Sequence, residues 1–134
     1  MRKNGPNKIG AHAAADKLRR DIEGKEKMQF INEAPLYKIV RIVGPKHNLL
    51  GLELSDYPLA TPATIDALNG DENPDIRLNP EEIAFNVRKG VELAAEKAGR
   101  AYYIKRIQYV SSDSEPASIY EYLAFEIIKR VCAL

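Results

Sequence analysis

The stretch Asn79-Pro80-Glu81-Glu82 constrains the fold most, because it states where a long helix begins. An Asn cap accepts from orphan backbone amides, and a Pro at the first helical position gives up no hydrogen bond. The acids that follow complement the helix dipole. Ile83, Val87, Val91, Ala94, Ala95 and Ala98 then recur on one side, and Gly99 stops the helix. A helix with one apolar stripe has to bury it against a second layer, and the small Ala positions predict close packing on a sheet. A second stripe runs through Ile119, Tyr120, Leu123, Ala124, Ile127, Ile128 and Val131. Ser118 and Glu121 have capping-box spacing at its start.

The sheet is read from three segments. LYKIVRIVG at 36–44 and NLLGLELS at 48–55 are rich in β-branched and aliphatic residues and form a hairpin through GPKHN. AYYIKRIQYV at 101–110 is the third, with Tyr103, Ile107 and Tyr109 on one face beside Lys105. Lys38 and Arg41 fall on opposite faces of the first strand, which predicts a place near a sheet edge. Thr61 and Pro62 start a short helix that Asn69-Gly70 ends. Residues 1–10 read as a flexible tail, and Ala14, Leu18 and Ile22 recur at helical spacing after it. KEKMQFINEAP is ambiguous between helix and strand. Three strands leave edges that invite a fourth, from around Met28 to Ile31 or from a second subunit. The expected fold is therefore a single α+β domain over 11–134. It is a two-layer sandwich, a small mostly antiparallel sheet with helices on one face, plus an N-terminal helix.

Composition narrows the function classes. The 134 residues carry a net charge of +1, which gives no global pull toward nucleic acid or membrane. The charge is unevenly spread: to His47 there are eleven Lys/Arg against five Asp/Glu, and afterwards nine against fourteen. Such a split favours self-association or a local anionic partner. A single cysteine, Cys132, rules out an internal disulfide and fits a reducing compartment. No apolar run reaches membrane-span length and the N-terminus lacks a hydrophobic signal core, so a cytoplasmic protein with no membrane partner is expected.

From Pro80 to Arg130 the order of motifs resembles the fourth domain of translation elongation factor G. The shared features are a helix with a Lys-Gly step (Lys89-Gly90), a strand ending at Tyr109, the loop Ser111 to Ser114, and a helix containing Ala124-Phe125. The resemblance implies an unusual left-handed β-α-β crossover, against the strong right-handed rule. It also implies a ribosome or RNA contact. The family's glycine-rich opening strand is replaced here by INEAPLYKIVRIVG.

Residues that could carry chemistry cluster at SSDSEP. Ser111, Ser112, Asp113 and Ser114 stand where a strand ends and a helix begins, a place where amides and hydroxyls bind anions or cap the chain itself. Arg106 is a further anion-binding candidate. His47 could act as a general base with Asp113 and Ser112, or be a solvated turn residue. The spacings of His12, His47 and Cys132 match no metal-binding pattern, and no phosphate-binding glycine loop is present, so neither metal nor cofactor is expected. Tyrosines interleaved with cations suggest an interaction surface, with Tyr122, Phe125, Tyr103 and Arg41 as its candidates. The leading expectation is a non-catalytic binding or assembly module that self-associates. A protein partner, an oligomeric enzyme using His47 and the 111–118 loop, and an RNA-contacting accessory protein are the alternatives.

Overall fold

The computed structural model describes residues 26–68 and 75–134. The expected tail and N-terminal helix lie outside them. Among the described residues five strands and two helices follow in the order β1 (Glu26–Glu33), β2 (Leu36–Val43), β3 (Lys46–Ser55), β4 (Thr64–Ala67), α1 (Pro80–Ala98), β5 (Tyr103–Tyr109) and α2 (Ile119–Cys132). The strands form one mixed sheet in the order β1-β2-β3-β5-β4. Among the described strands only the β4–β5 pairing is parallel. The class is α+β.

Three sequence expectations change at this level. Within KEKMQFINEAP the residues Glu26–Glu33 are strand β1, the fourth strand anticipated around Met28 to Ile31, joined to β2 by a tight turn at Ala34-Pro35; among the described strands β2 is therefore interior, not near an edge, and β1 takes the edge. The polar residues of β2 reflect one solvent-facing side and a paired Arg41, and they do not mark an edge. The short helix expected after Thr61 is instead β4, a strand that adds to β5 from Thr64. Neighbouring strand hydrogen bonds outweigh the weak local helix signal there. Finally, β3 begins at Lys46, so His47 lies in a strand; the turn is Gly44-Pro45, with Gly44 at φ 58, a value glycine takes without penalty.

Register sorts the side chains into two faces, because directly opposed residues share a face. Ile39 opposes Leu50, Leu50 opposes Tyr109, and Leu52 opposes Ile107. These are buried with Ile83, Val87, Val91, Leu123, Ile127 and Ile128 in one core. Both helices therefore cover that face. A bulge at Glu53/Leu54 breaks the simple alternation expected for β5. Across it Ile104 joins Ile107 and Tyr109 against the core, while Lys105 and Arg106 both reach Glu53, at 3.5 and 3.2 Å. One extra residue on one strand is what lets two cations share a single carboxylate.

The helices pack mainly on each other. A Cβ on Gly90 would drive far inside contact with the Glu121 carbonyl oxygen and stand 2.9 Å from Ala124 Cβ. Glycine at this position is what permits the approach of the two backbones. The Asn79 cap works as the sequence predicts: its Oδ1 accepts from the Glu81 and Glu82 amides at 2.8 and 3.3 Å. Gly99, at φ 66, closes the other end. The capping box expected for α2 does not form; Ser118 makes no side-chain cap bond. The first amides of α2 are satisfied locally instead, Ile119 donating to Pro116, Tyr120 to Ala117 and Glu121 to Ser118.

Candidate functional site

Strand β5 stops at Tyr109, opposite Leu50, while β3 extends back to Lys46. The first residues of β3 would be left with unpaired backbone groups on that side. The 111–114 loop fills the gap with side chains as well as backbone. Ser114 Oγ accepts from the His47 amide at 3.2 Å, the Ser114 amide donates back to the His47 carbonyl at 3.2 Å, and Asp113 Oδ2 accepts from the Leu49 amide at 2.8 Å. The loop thus continues the β5 ladder after the strand itself has ended. The Ser111 carbonyl accepts from the amides of Arg77 and Leu78, which ties the same loop to the chain leading into α1.

Asn48 anchors the loop from below. Its Nδ2 donates to the Ser114 carbonyl at 2.8 Å and to Tyr120 Oη at 3.2 Å, wholly inside the protein. Asn48 and Tyr120 are the functional-looking residues that sequence reasoning passed over. The signal was present: Asn48 is a polar residue in phase with Leu50 and Leu52, on the face that goes inward. A polar side chain in that phase needs a buried partner.

His47 and Asp113 do meet. His47 Nε2 lies 3.2 Å from Asp113 Oδ1, with the imidazole side chain 63% exposed and the carboxylate 3% exposed. Burial pushes the Asp113 carboxyl above its ordinary value, against the lowering effects of the Leu49 amide and of His47. Burial also raises the phenol of Tyr120, so it stays neutral. A cavity of about 250 Å³ at this end is lined by Arg41, Val43, Lys46, Asn48, Glu115, Pro116 and Ile119. Strand alternation puts Lys46 and Asn48 on the opposite side of β3 from His47, so the imidazole does not share that cavity.

The remaining candidates scatter. Ser112 is half-buried in the loop. Arg106 belongs to the bulge at the other end of β5, where it pairs with Glu53 and, at 2.7 Å, with Asp66. It does not join the Ser cluster. Tyr103, at the start of β5, lines a separate cavity with Arg88, Glu92 and Tyr102. Arg41 and Tyr122 do converge, on Glu26: Arg41 Nε pairs with Oε2 and Tyr122 Oη donates to Oε1 at 3.4 Å. Tyr122 is 40% exposed, and Phe125 beside it carries Lys97 over its ring at 5.6 Å. A shallow cavity of about 400 Å³ on the outside of the helix layer is lined by Leu93, Ser118, Glu121, Tyr122 and Phe125.

The face of the sheet away from the helices is set by the other half of each register. Ile31, Leu36, Val40, Ile42 and Leu49 form an aliphatic band there, bordered by Lys27, Lys38, Glu33, Glu53 and Arg106. Lys38 and Gln108 close over Gly51, and Gln108 Oε1 is buried without a hydrogen-bond partner. Among the described residues no group of three or more His, Cys, Asp or Glu could hold a metal ion, and no helix is long and apolar enough to cross a membrane. Compared with family models, curated proteins and solved structures, the chain matches none of them, so its reading rests on its own residues.

Proposed function

We propose that the chain is a non-catalytic binding or assembly module, whose Ser/Asp loop is a structural clasp and whose surfaces do the work. The observation that supports this most is the commitment of Asp113 and Ser114 to the β3 backbone. A catalytic group has to keep its reactive atom pointed at a substrate, and such exposed or strained polar groups cost stability. A clasp has the opposite signature: removing it leaves backbone amides unpaired. The test is a pair of melting curves, for Asp113→Ala and Ser114→Ala. The clasp reading expects each to lose about 1–3 kcal/mol. Unchanged or increased stability in both would overturn it.

One observation favours a second reading. A buried carboxylate beside an exposed imidazole is how a general base is oriented in many hydrolytic sites. That reading makes His47 the base and Asp113 its orienter. It expects p-nitrophenyl acetate to be hydrolysed faster than by free imidazole at equal concentration, and the excess to vanish in His47→Ala. An excess that survives the substitution removes His47 from consideration.

A further inference from the structure

The two edges of the sheet differ in a way that points to a partner. On one side β4 offers only four residues, Thr64–Ala67. On the other, β1 offers eight, Glu26–Glu33, hydrogen-bonded among the described residues to β2 alone and in unbroken register with it. Natural edges are usually blunted by a bulge, an internal proline or an inward-pointing charge. Its one inward-pointing charge, Glu26, is the first residue of the strand and is paired with Arg41; from Lys27 to Glu33 β1 carries none of these, and Lys27 and Glu33 point to the open face.

We propose that β1 pairs antiparallel with β1 of a second copy of this chain, centred on Phe30, so that the two sheets become one. This rests on the assembly reading above and names its surface. Antiparallel partners share a face, so a two-fold pairing must be centred on a residue, either Gln29 or Phe30, near the middle of the strand. Centred on Phe30, Lys27 of each copy faces Glu33 of the other, Met28 faces Asn32, Gln29 faces Ile31, and the two Phe30 rings meet beside the Tyr37 rings they already stack on at 6.2 Å. Centred on Gln29, Lys27 faces Ile31, Met28 faces Phe30 and Glu26 faces Asn32, so no opposite charges meet within Glu26–Glu33. Cross-strand pairs of opposite charge stabilise and like charges oppose, so the chemistry of β1 selects the Phe30 register. Lys27 is exposed, and Glu33 is 58% exposed with Lys38 at 3.5 Å on its inner side. The two-fold axis then stands perpendicular to the sheet. Both helix layers fall on the same side, and the two aliphatic bands of the open faces line up.

Sedimentation equilibrium over a concentration series tests this with the full chain. The wild type is expected to dimerise. Lys27→Glu and Glu33→Lys, made singly, each place two like-charged pairs across the axis and are expected to weaken the dimer on the order of 10-fold. The double exchange Lys27→Glu/Glu33→Lys restores the pairing. Phe125→Lys, on the helix layer, leaves it unchanged. In a Cys132→Ser background, Phe30→Cys forms a disulfide-linked dimer on oxidation and Gln29→Cys does not. A wild type that is monomeric at ~100 μM, within the concentration range of weak association, overturns the inference, as do single and double exchanges with the same affinity. If Phe125→Lys dissociates the dimer while the charge exchanges do nothing, the edge pairing is wrong and the assembly reading stands on another surface. Crosslinking through Gln29→Cys alone overturns the register.

Discussion

Gly90 and Gly51 are both buried, and their neighbours show why the two sides of this molecule obey different rules. At Gly90 the obstacle to a side chain is the backbone carbonyl of Glu121, on the opposing helix. At Gly51 the obstacles are the ends of other side chains: Gln108 Oε1 at 3.0 Å, Gln108 Cβ at 3.2 Å and Lys38 Cγ at 3.4 Å. A helix backbone can move only by shifting the packed layer with it, whereas a lysine stem or an amide can rotate away. The helix-covered side is determined by close backbone approach and a buried apolar core. The open side is determined by adjustable side chains over an aliphatic band.

The sharpest test of that contrast is the same substitution at both glycines. Gly90→Ala is expected to cost about 3 kcal/mol or more in urea unfolding, as overpacking against rigid backbone does. Gly51→Ala should stay within about 1 kcal/mol, since strand propensity gained offsets the repositioning of Gln108 and Lys38. Equal costs at both positions would mean that the two sides resist crowding alike. Next in size come the aliphatic residues. Leu52→Ala empties a fully buried site and should cost about 2–5 kcal/mol. Ile42→Thr, at a residue 44% exposed on the open face, should change stability by about 0.5 kcal/mol or less. A large loss at Ile42 would mean that the open face is covered in solution.

The polar clasp bridges the two sides, with Asn48 held inside and Asp113 reaching the exposed His47. Asn48→Ala removes the donor that serves both the Ser114 carbonyl and the Tyr120 hydroxyl, and is expected to cost about 1–3 kcal/mol. The smallest effect is the pH dependence carried by Asp113. Its carboxyl titrates higher in the folded chain than when unfolded, chiefly because of burial. The folded state therefore binds that proton more tightly, and the stabilisation from the protonated form is complete below the unfolded value. It fades as pH rises through the folded value. The stability of wild type minus that of Asp113→Asn should accordingly decline with rising pH between those two values, followed by urea midpoints across the acidic range. A difference that grows with pH would mean that His47 and the Leu49 amide outweigh burial.

How far these features were legible before the fold is best seen element by element. Asn79, Pro80 and Gly99 act through groups within a few residues, so the limits of α1 follow from local chemistry. The same local logic failed at Ser118, where neighbouring carbonyls satisfied the amides first. It failed again at Thr64–Ala67, where pairing with β5 supplied what the segment alone did not specify. The Ser/Asp loop was legible as a place where hydrogen-bonding capacity collects. Its target, the start of β3 more than sixty residues earlier, was not.

The apolar stripes of the two helices, the ends of the first and the strand character of β2, β3 and β5 were readable from the residues alone, because these depend on spacing and on neighbours along the chain. The folded arrangement had to supply the rest: that Gly90 is a contact point, that the bulge turns Lys105 and Arg106 to one acid, that β1 is an edge among the described strands, and that Asp113 serves both a backbone amide and an imidazole. Each of those joins residues distant along the chain. Their energies come from register and close packing, which no local pattern encodes.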